Sequence, residues 1–189
     1  MTAARRELIL GGQKSGKSRR AEALAQSWLL HSPMHSAWLL ATGQAWDGEM
    51  QARIARHQAD RAQRVPGLRT REVPLDLAAA VRAQSRPDCL LVIDCLTMWL
   101  TNWMRPMPGQ PCQAQDWPAQ RAAFLAALGG APGPVVLVGN EIGLGVIPLG
   151  GEVRAFVDAL GTLNQQVAAV CSHATLMCAG MPLVLKESK

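Results

Sequence analysis

The segment Gly11–Ser18, with the sequence GGQKSGKS, has the residue types and spacing of a phosphate-binding loop. The mostly apolar run Glu7–Leu10 precedes it, and the helix-forming run Arg19–Gln26 follows it. Glycines let the N–H groups of such a loop point inward, and the next helix adds partial positive charge at its N-terminus. We therefore predict nucleoside triphosphate binding, with Lys17 on the β- and γ-phosphates and Ser18 on Mg²⁺. The alternative is an ordinary glycine turn at a strand end.

A second chemical group, the carboxylate of Asp94, follows the apolar run Leu90–Ile93. A carboxylate at the end of a strand can bind magnesium beside a phosphate-binding loop, here next to Ser18. The other interpretation is a helix N-cap, a position at which Asp is common, and the two roles are compatible. We predict the metal role because the loop motif occurs in the same chain.

His57 lies on a predicted helix with Arg53 four residues before it and Arg61 four residues after it, so the three share one face. Arg64 extends that face. Neighbouring positive charge disfavours the imidazolium form, the neutral imidazole is a nucleophile, and arginines can neutralise phosphates. The pattern indicates either a phosphate-handling site or an ordinary surface histidine, and spacing alone does not choose between them.

The segment Asn140–Gly145, with the sequence NEIGLG, follows the apolar run Val135–Val138. One interpretation is a turn with Asn140 in the left-handed conformation. The other is a contact with a substrate or with a second nucleotide. Both interpretations stay open on the sequence.

Alternating apolar and helical segments must position these groups. Strands are predicted at 7–10, 37–42, 89–93, 135–138, 174–178 and 183–185, and helices at 17–30, 47–64, 75–84, 96–104, 117–128 and 152–171. The proline-rich stretch 105–118 is predicted to be a surface loop. This order predicts one α/β domain, 1–189, with a mainly parallel sheet and helices on both faces. The P-loop, Thr42, Asp94, and Asn140 with Glu141 each end or follow one of these strands, and ligands bind at that edge of such sheets.

The composition is 49% hydrophobic and 17% charged, which predicts a folded core rather than disorder. The net charge of +5, concentrated between Arg53 and Arg71, suits nucleotide phosphates, although a solvated face would look the same. The five cysteines form no CxxC pair, and we find neither a signal segment nor an apolar run of about 20 residues. We therefore expect a cytoplasmic protein with reduced thiols.

Together these motifs resemble those of the bifunctional adenosylcobinamide kinase / adenosylcobinamide-phosphate guanylyltransferases of cobalamin biosynthesis. The resemblance covers nearly the whole chain and is most specific in the helix motif E-M-x-x-R-I-x-x-H and in the segment N-E-I-G-L-G. It rests on the segments 11–18, 41–42, 47–54 with His57, 94–97, 140–148, 161–165 and 179–183.

The resemblance implies a P-loop NTPase fold similar to RecA-like proteins, and two reactions. ATP or GTP phosphorylates the hydroxyl of the aminopropanol arm of adenosylcobinamide. GTP then transfers GMP to a histidine, which corresponds to His57, and the GMP passes on to the phosphorylated substrate to give adenosylcobinamide-GDP.

The resemblance also implies the roles of individual residues. Lys17 and His57 would be catalytic, Ser18 and Asp94 would bind Mg²⁺, and the protein would form a homotrimer. The implied nucleotide contacts are Gly11, Gly12, Gln13, Lys14, Ser15, Gly16, Lys17, Ser18, Ala41, Thr42, Gly43, Gln58, Ala59, Asp60, Arg61, Glu72 and Asp94.

Two other functions remain open on the sequence. A P-loop small-molecule kinase without guanylyl transfer would leave His57 as an ordinary surface residue. A RecA-like nucleic-acid-binding ATPase is disfavoured by the modest net charge, the absence of Tyr and the presence of only two Phe for base stacking. We therefore expect neither nucleic acid nor a membrane as a partner.

Overall fold

Strands and helices alternate along residues 4–110 and 114–187, which are the residues that the computed structural model describes. The strands are β1 (Arg6–Gly11), β2 (Ser36–Ala41), β3 (Leu68–Glu72), β4 (Cys89–Asp94), β5 (Val135–Val138), β6 (His173–Cys178) and β7 (Met181–Glu187). The α-helices are α1 (Lys17–His31), α2 (Gly48–Arg64), α3 (Leu77–Gln84), α4 (Leu96–Met104), α5 (Trp117–Gly129) and α6 (Gly151–Val170), and a 3₁₀ turn covers Ala114–Asp116.

The strands form a single seven-stranded sheet in the order β3-β2-β4-β5-β1-β6-β7. Every neighbouring pair is parallel except β6 and β7, which are antiparallel. The central strands are apolar over Leu8–Leu10 in β1, Cys89–Ile93 in β4 and all of β5, because helices cover both of their faces. The predicted fold class is therefore confirmed.

Two hydrophobic cores lie on opposite faces of this sheet. The larger packs α3 to α6 against it around Trp99 and Phe124, whose ring centroids are 4.9 Å apart. The smaller packs α1 against the other face through Ala21 and Ala25, and Val65 joins this core just after α2. Helix α2 itself has no fully buried side chain among its described residues, so it lies on the surface of the domain.

Strand β3 was not predicted. Its sequence, LRTRE, carries no apolar run because β3 is an edge strand whose side chains are largely exposed. The predicted loop 105–118 is also shorter in the structure, since Trp117 begins α5 and Pro118 lies in its first turn, where a missing N–H costs nothing. The part of this prediction that concerns 111–113 lies outside the described residues.

The C-terminal hairpin packs against the phosphate-binding loop. Its two turn residues, Ala179 and Gly180, have φ values of 51° and 80°, as a tight two-residue hairpin turn requires. The N–H of Gly180 donates to the carbonyl of Ser15 at 3.0 Å. The apolar side chains of β7 (Met181, Leu183, Val184 and Leu185) are each more than half exposed.

Within the two described ranges, no helix combines the length and the apolar character needed to cross a membrane.

Candidate nucleotide site

The loop between β1 and α1 has the backbone of a phosphate cradle. Gly11 and Gly16 have φ values of 152° and 102°, which are unfavourable for other residues, and Lys14 has a φ of 56°. A Cβ on Gly11 would lie 2.5 Å from the carbonyl oxygen of Met177, so β6 approaches the loop too closely for a side chain. Glycine is therefore required at position 11 both by conformation and by space.

The side chain of Lys17 lies inside this loop and is buried. Its ammonium group donates to the carbonyl of Gly12 and lies 3.5 Å from Ser15 Oγ. Burial lowers the pKa of Lys17, and the nearby carboxylate of Asp94 partly opposes this shift. A buried ammonium with few partners gains a strong one when a phosphate enters the loop, which suits the role predicted for Lys17.

Asp94 ends β4 next to the beginning of α1. Its carboxylate forms a hydrogen bond with the Ser18 side chain, and the charges of Arg61 and His57 also act on it. Burial is the strongest influence and raises the pKa of Asp94. Asp94 is not a helix cap, because the N-cap of α4 is Cys95. The N-cap interpretation is thus wrong, and the metal role of Ser18 and Asp94 stays a prediction.

Thr42 lies beside the end of β4 and is fully buried, and its N–H donates to the backbone carbonyl of Asp94 at 3.1 Å. Its hydroxyl donates to the carbonyl of Cys95 at 2.7 Å and accepts from the N–H of Cys95 at 2.8 Å. With no surface exposed, Thr42 has no side-chain atom that can contact a nucleotide here. Its neighbours Ala41 and Gly43 are partly exposed, so these two residues can contact a nucleotide in this segment.

A cleft of about 500 Å³ brings together three of the predicted nucleotide contacts from three different elements. Gly43 follows β2, Gln58 lies on α2, and Glu72 ends β3. Gln44 and Gln51 also line the cleft, and the sequence analysis did not identify either of them. The one sequence signal for Gln44 is its position just after β2, at the edge of the sheet where ligands bind. Its side-chain oxygen is buried and accepts no hydrogen bond within the described structure.

The predicted arginine face of α2 is only partly available to phosphates. His57 is exposed, as are Gln58, Ala59 and Asp60. Arg64 Nε instead donates to Glu22 Oε2 of α1 at 2.9 Å, and Arg61 Nε lies 3.6 Å from Glu22 Oε1. Arg61 and Arg64 therefore both lie against Glu22, and the side chain of Arg53 lies outside the described structure. The phosphate-handling interpretation of this face stays a prediction.

The segment after β5 begins against the phosphate-binding loop, since the N–H of Glu141 donates to the carbonyl of Gly11 at 3.2 Å. The N–H of Asn140 donates to Thr97 Oγ1, and its carbonyl accepts from the Asn164 amide. Asn140 does not have a positive φ, so the left-handed turn interpretation is wrong. The substrate-contact interpretation stays a prediction.

The glycine loop after β1, its buried lysine and the Ser18–Asp94 pair define a P-loop nucleotide-binding α/β protein. A solved structure of the flagellar accessory protein FlaH from Methanocaldococcus jannaschii has the same fold. Its TM-score is 0.51 at 13% sequence identity, over 97% of this chain and 79% of that one. At this identity the similarity concerns the fold alone.

Sequence similarity gives the family. The family model for cobinamide kinase / cobinamide phosphate guanyltransferase matches residues 7–185. The chain is 47% identical to the bifunctional adenosylcobalamin biosynthesis protein CobP of Pseudomonas aeruginosa, over 96% of this chain and 97% of the relative. It is 33% identical to CobU of Salmonella typhimurium, over 95% and 98% of the two chains.

The chain belongs to the cobinamide kinase / cobinamide phosphate guanyltransferase family. This confirms the predicted family, and with it the prediction of a bifunctional kinase and guanylyltransferase of cobalamin biosynthesis.

Proposed function

We propose that His57 carries the GMP in the guanylyltransferase reaction and that the loop Gly11–Ser18 holds the triphosphate in both reactions. The observation that supports this most is the position of α2. The charge of His57 acts on the carboxylate of Asp94, and that carboxylate forms a hydrogen bond with Ser18 of the loop. The adjoining cleft between α2 and the ends of β2 and β3 has room for a nucleoside.

In the kinase reaction, the acceptor is the hydroxyl of the aminopropanol arm of adenosylcobinamide. Its oxygen attacks the γ-phosphorus of ATP or GTP and gives up its proton to solvent, the bond from γ-phosphorus to the bridging oxygen breaks, and the nucleoside diphosphate leaves. Lys17 and the inward N–H groups of the loop stabilise the charge that develops on the phosphoryl oxygens. The lowered pKa of Lys17 marks a side chain whose charge is poorly solvated until a phosphate arrives.

In the transferase reaction, a ring nitrogen of neutral His57 attacks the α-phosphorus of GTP. A phosphorus–nitrogen bond forms, the bond from the α-phosphorus to the bridging oxygen breaks, and pyrophosphate leaves with the electron pair. A phosphate oxygen of adenosylcobinamide phosphate then attacks the same phosphorus. The phosphorus–nitrogen bond breaks, adenosylcobinamide-GDP forms, and the imidazole is regenerated.

The Ser18–Asp94 pair suits Mg²⁺. Magnesium prefers oxygen ligands and takes few from the protein, the others being waters and nucleotide phosphates. A hydroxyl and a carboxylate already lie in contact here, and burial raises the pKa of Asp94, so a cation would relieve the cost of its charge. Bound there, Mg²⁺ would neutralise phosphate charge.

Incubation with α-labelled GTP tests the role of His57. We expect one GMP per chain, bound through an acid-labile bond, mapped to His57 by mass spectrometry and lost in His57→Ala. His57→Ala should keep its kinase activity. Absence of label from the wild-type protein, or label that survives His57→Ala, would refute the proposal and leave a P-loop kinase in which His57 is an ordinary surface residue.

We also propose that the protein is a homotrimer in which other copies cover the apolar side chains of β7. The support is the exposure of Met181, Leu183, Val184 and Leu185 on an edge strand, which is rarely left open in a lone domain. Sedimentation equilibrium should give three times the mass of the chain, and Val184→Lys should give monomers. A monomeric wild-type protein would contradict this.

The cytoplasm is the compartment that we propose, because the four described cysteines, Cys89, Cys95, Cys171 and Cys178, are all unpaired thiols. Fractionation of cells that produce the protein would test this. Recovery from an oxidising compartment with paired cysteines would overturn it.

A further inference from the structure

Helix α2, which carries His57, is held to the domain by few contacts. None of its described side chains is fully buried, and the cleft lined by Gly43, Gln58 and Glu72 separates its first half from the sheet. Its N-terminus is capped by Asp47, whose carboxylate accepts a hydrogen bond from the N–H of Met50 in the same helix. Most of the attachment is therefore at the C-terminal end of α2, where Val65 enters the smaller core.

A buried carboxylate is the centre of that attachment. Glu22 lies on α1, little more than one turn after Lys17, and its side chain is 6% exposed. Arg64 donates to both of its oxygens, from Nε at 2.9 Å and from Nη2 at 3.3 Å. Arg61 Nε lies 3.6 Å away with its side chain 11% exposed. Glu22 thus has two arginine partners, and both belong to α2.

The geometry of a helix connects this ion pair to His57. At about 100° per residue, Arg61 lies about 40° from His57 around the axis of α2, and Arg64 about 20° to the other side. The face that Glu22 holds is therefore the face that presents His57. Because α1 begins at the phosphate-binding loop, Glu22 ties the position and rotation of the histidine helix to the element that carries Lys17 and Ser18.

We propose that Glu22 is a positioning residue for guanylyl transfer, acting through Arg61 and Arg64 to orient His57 relative to the bound triphosphate. This inference rests on the proposed role of His57. Glu22 contacts no substrate and takes part in no bond exchange. The kinase reaction needs Lys17 and the loop but not His57, so it should depend much less than guanylyl transfer on this ion pair.

Glu22→Gln keeps the shape of the side chain and removes its charge. We expect the first-order rate of His57 guanylylation to fall about tenfold to a hundredfold, the range expected when a reacting group is misplaced by about 1 Å. The apparent KM for GTP and the kinase rate should each change by less than about threefold, because the triphosphate cradle is intact.

Arg64→Gln removes the more exposed arginine partner of Glu22. The Arg64 side chain is 44% exposed, so the fold should tolerate this substitution. We expect a smaller loss of guanylylation, because Arg61 remains. The double variant Glu22→Gln/Arg64→Gln should be about as slow as Glu22→Gln alone, since the second change removes a contact that is already lost. Independent, multiplicative losses would contradict the proposed coupling.

Glu7→Gln is the matched control. Glu7 is also a buried carboxylate with two arginine partners, Arg5 at 2.8 Å and Arg20 at 3.0 Å, but neither belongs to α2. The Glu7→Gln variant should have a lower thermal stability than the wild-type protein but the same ratio of guanylylation rate to kinase rate. If Glu22→Gln lowers both rates equally, as a general loss of stability would, or guanylylates at the wild-type rate, the inference is wrong. A wild-type protein that forms no GMP adduct would instead refute the proposed function itself.

Discussion

Replacing Gly11 by alanine tests the close packing of the phosphate-binding loop against the sheet. Gly11 has a φ of 152°, and a Cβ there would lie 2.5 Å from the carbonyl oxygen of Met177 and 2.6 Å from Ser15 Oγ. Ser15 Oγ can rotate away, but the Met177 oxygen is backbone of the neighbouring strand β6, in register with Gly11. Alanine therefore forces the strand and the loop apart.

The expected cost has two parts. A side chain at this backbone conformation costs about 1–3 kcal/mol, and displacement of β6 adds a further cost of about 1 kcal/mol or more. We expect the free energy of unfolding to fall by about 3 kcal/mol. For a domain of this size, each kcal/mol corresponds to about 2–4 °C, so the Tm should fall by about 6–12 °C.

Gly12→Ala provides the control at the adjacent position. A Cβ on Gly12 would meet no atom within 4 Å, and its φ lies outside the left-handed range. We expect its free energy of unfolding to change by less than about 0.5 kcal/mol. Urea and thermal unfolding of the nucleotide-free proteins measure both values. Equal stabilities of Gly11→Ala and Gly12→Ala would refute the proposed contact between loop and sheet.

Three further predictions concern titratable groups. Burial raises the pKa of Asp94, so its ionised form is unfavourable in the nucleotide-free fold at pH 7. Asp94→Asn should therefore raise the Tm at pH 7 and abolish Mg²⁺-dependent turnover. A lower Tm with intact turnover would contradict this. The two arginine partners of Glu7 outweigh burial and lower its pKa, so its stabilising effect is present above its ordinary value of 4.5 and is lost as the pH falls below it. The stability of Glu7→Gln should consequently depend less on pH in that acid range, and parallel unfolding curves would argue against this. Burial raises the pKa of both Cys95 and Cys171 to about 12. Of Cys95, Cys171 and the exposed Cys178, a thiol reagent should therefore modify Cys178 first and the other two only on unfolding. Mass spectrometry of the labelled protein measures this order.

The strands that the sequence predicts well are those buried on both faces. Leu90–Ile93 and Val135–Val138 are apolar without interruption because helices cover them on either side. Strand β3 has only Leu68 partly buried among five residues, so no local pattern distinguishes it from a loop. Its place in the sheet depends on pairing with β2, a contact that local periodicity does not encode.

In the candidate site, too, the features that depend on a local sequence pattern could be predicted, and those that depend on distant residues could not. The P-loop could be predicted because its function depends on a continuous segment with fixed spacing. The ion pair of Glu22 with Arg64 joins residues 42 positions apart, and helix α1 gave no local sign that this carboxylate is buried. The buried position of Thr42 was equally unpredictable, because it follows from hydrogen bonds to Cys95 on another strand end.

The arrangement of the sheet has a consequence for synthesis on the ribosome. Strand β1 is made first, yet its two neighbours are β5 and β6, and the turn that braces the phosphate-binding loop is formed by Ala179 and Gly180. The phosphate-binding loop is therefore enclosed on both sides only after β6 and this turn have been synthesised. An incomplete polypeptide thus presents the largely apolar strand β1 without its neighbours, a surface that chaperones can shield.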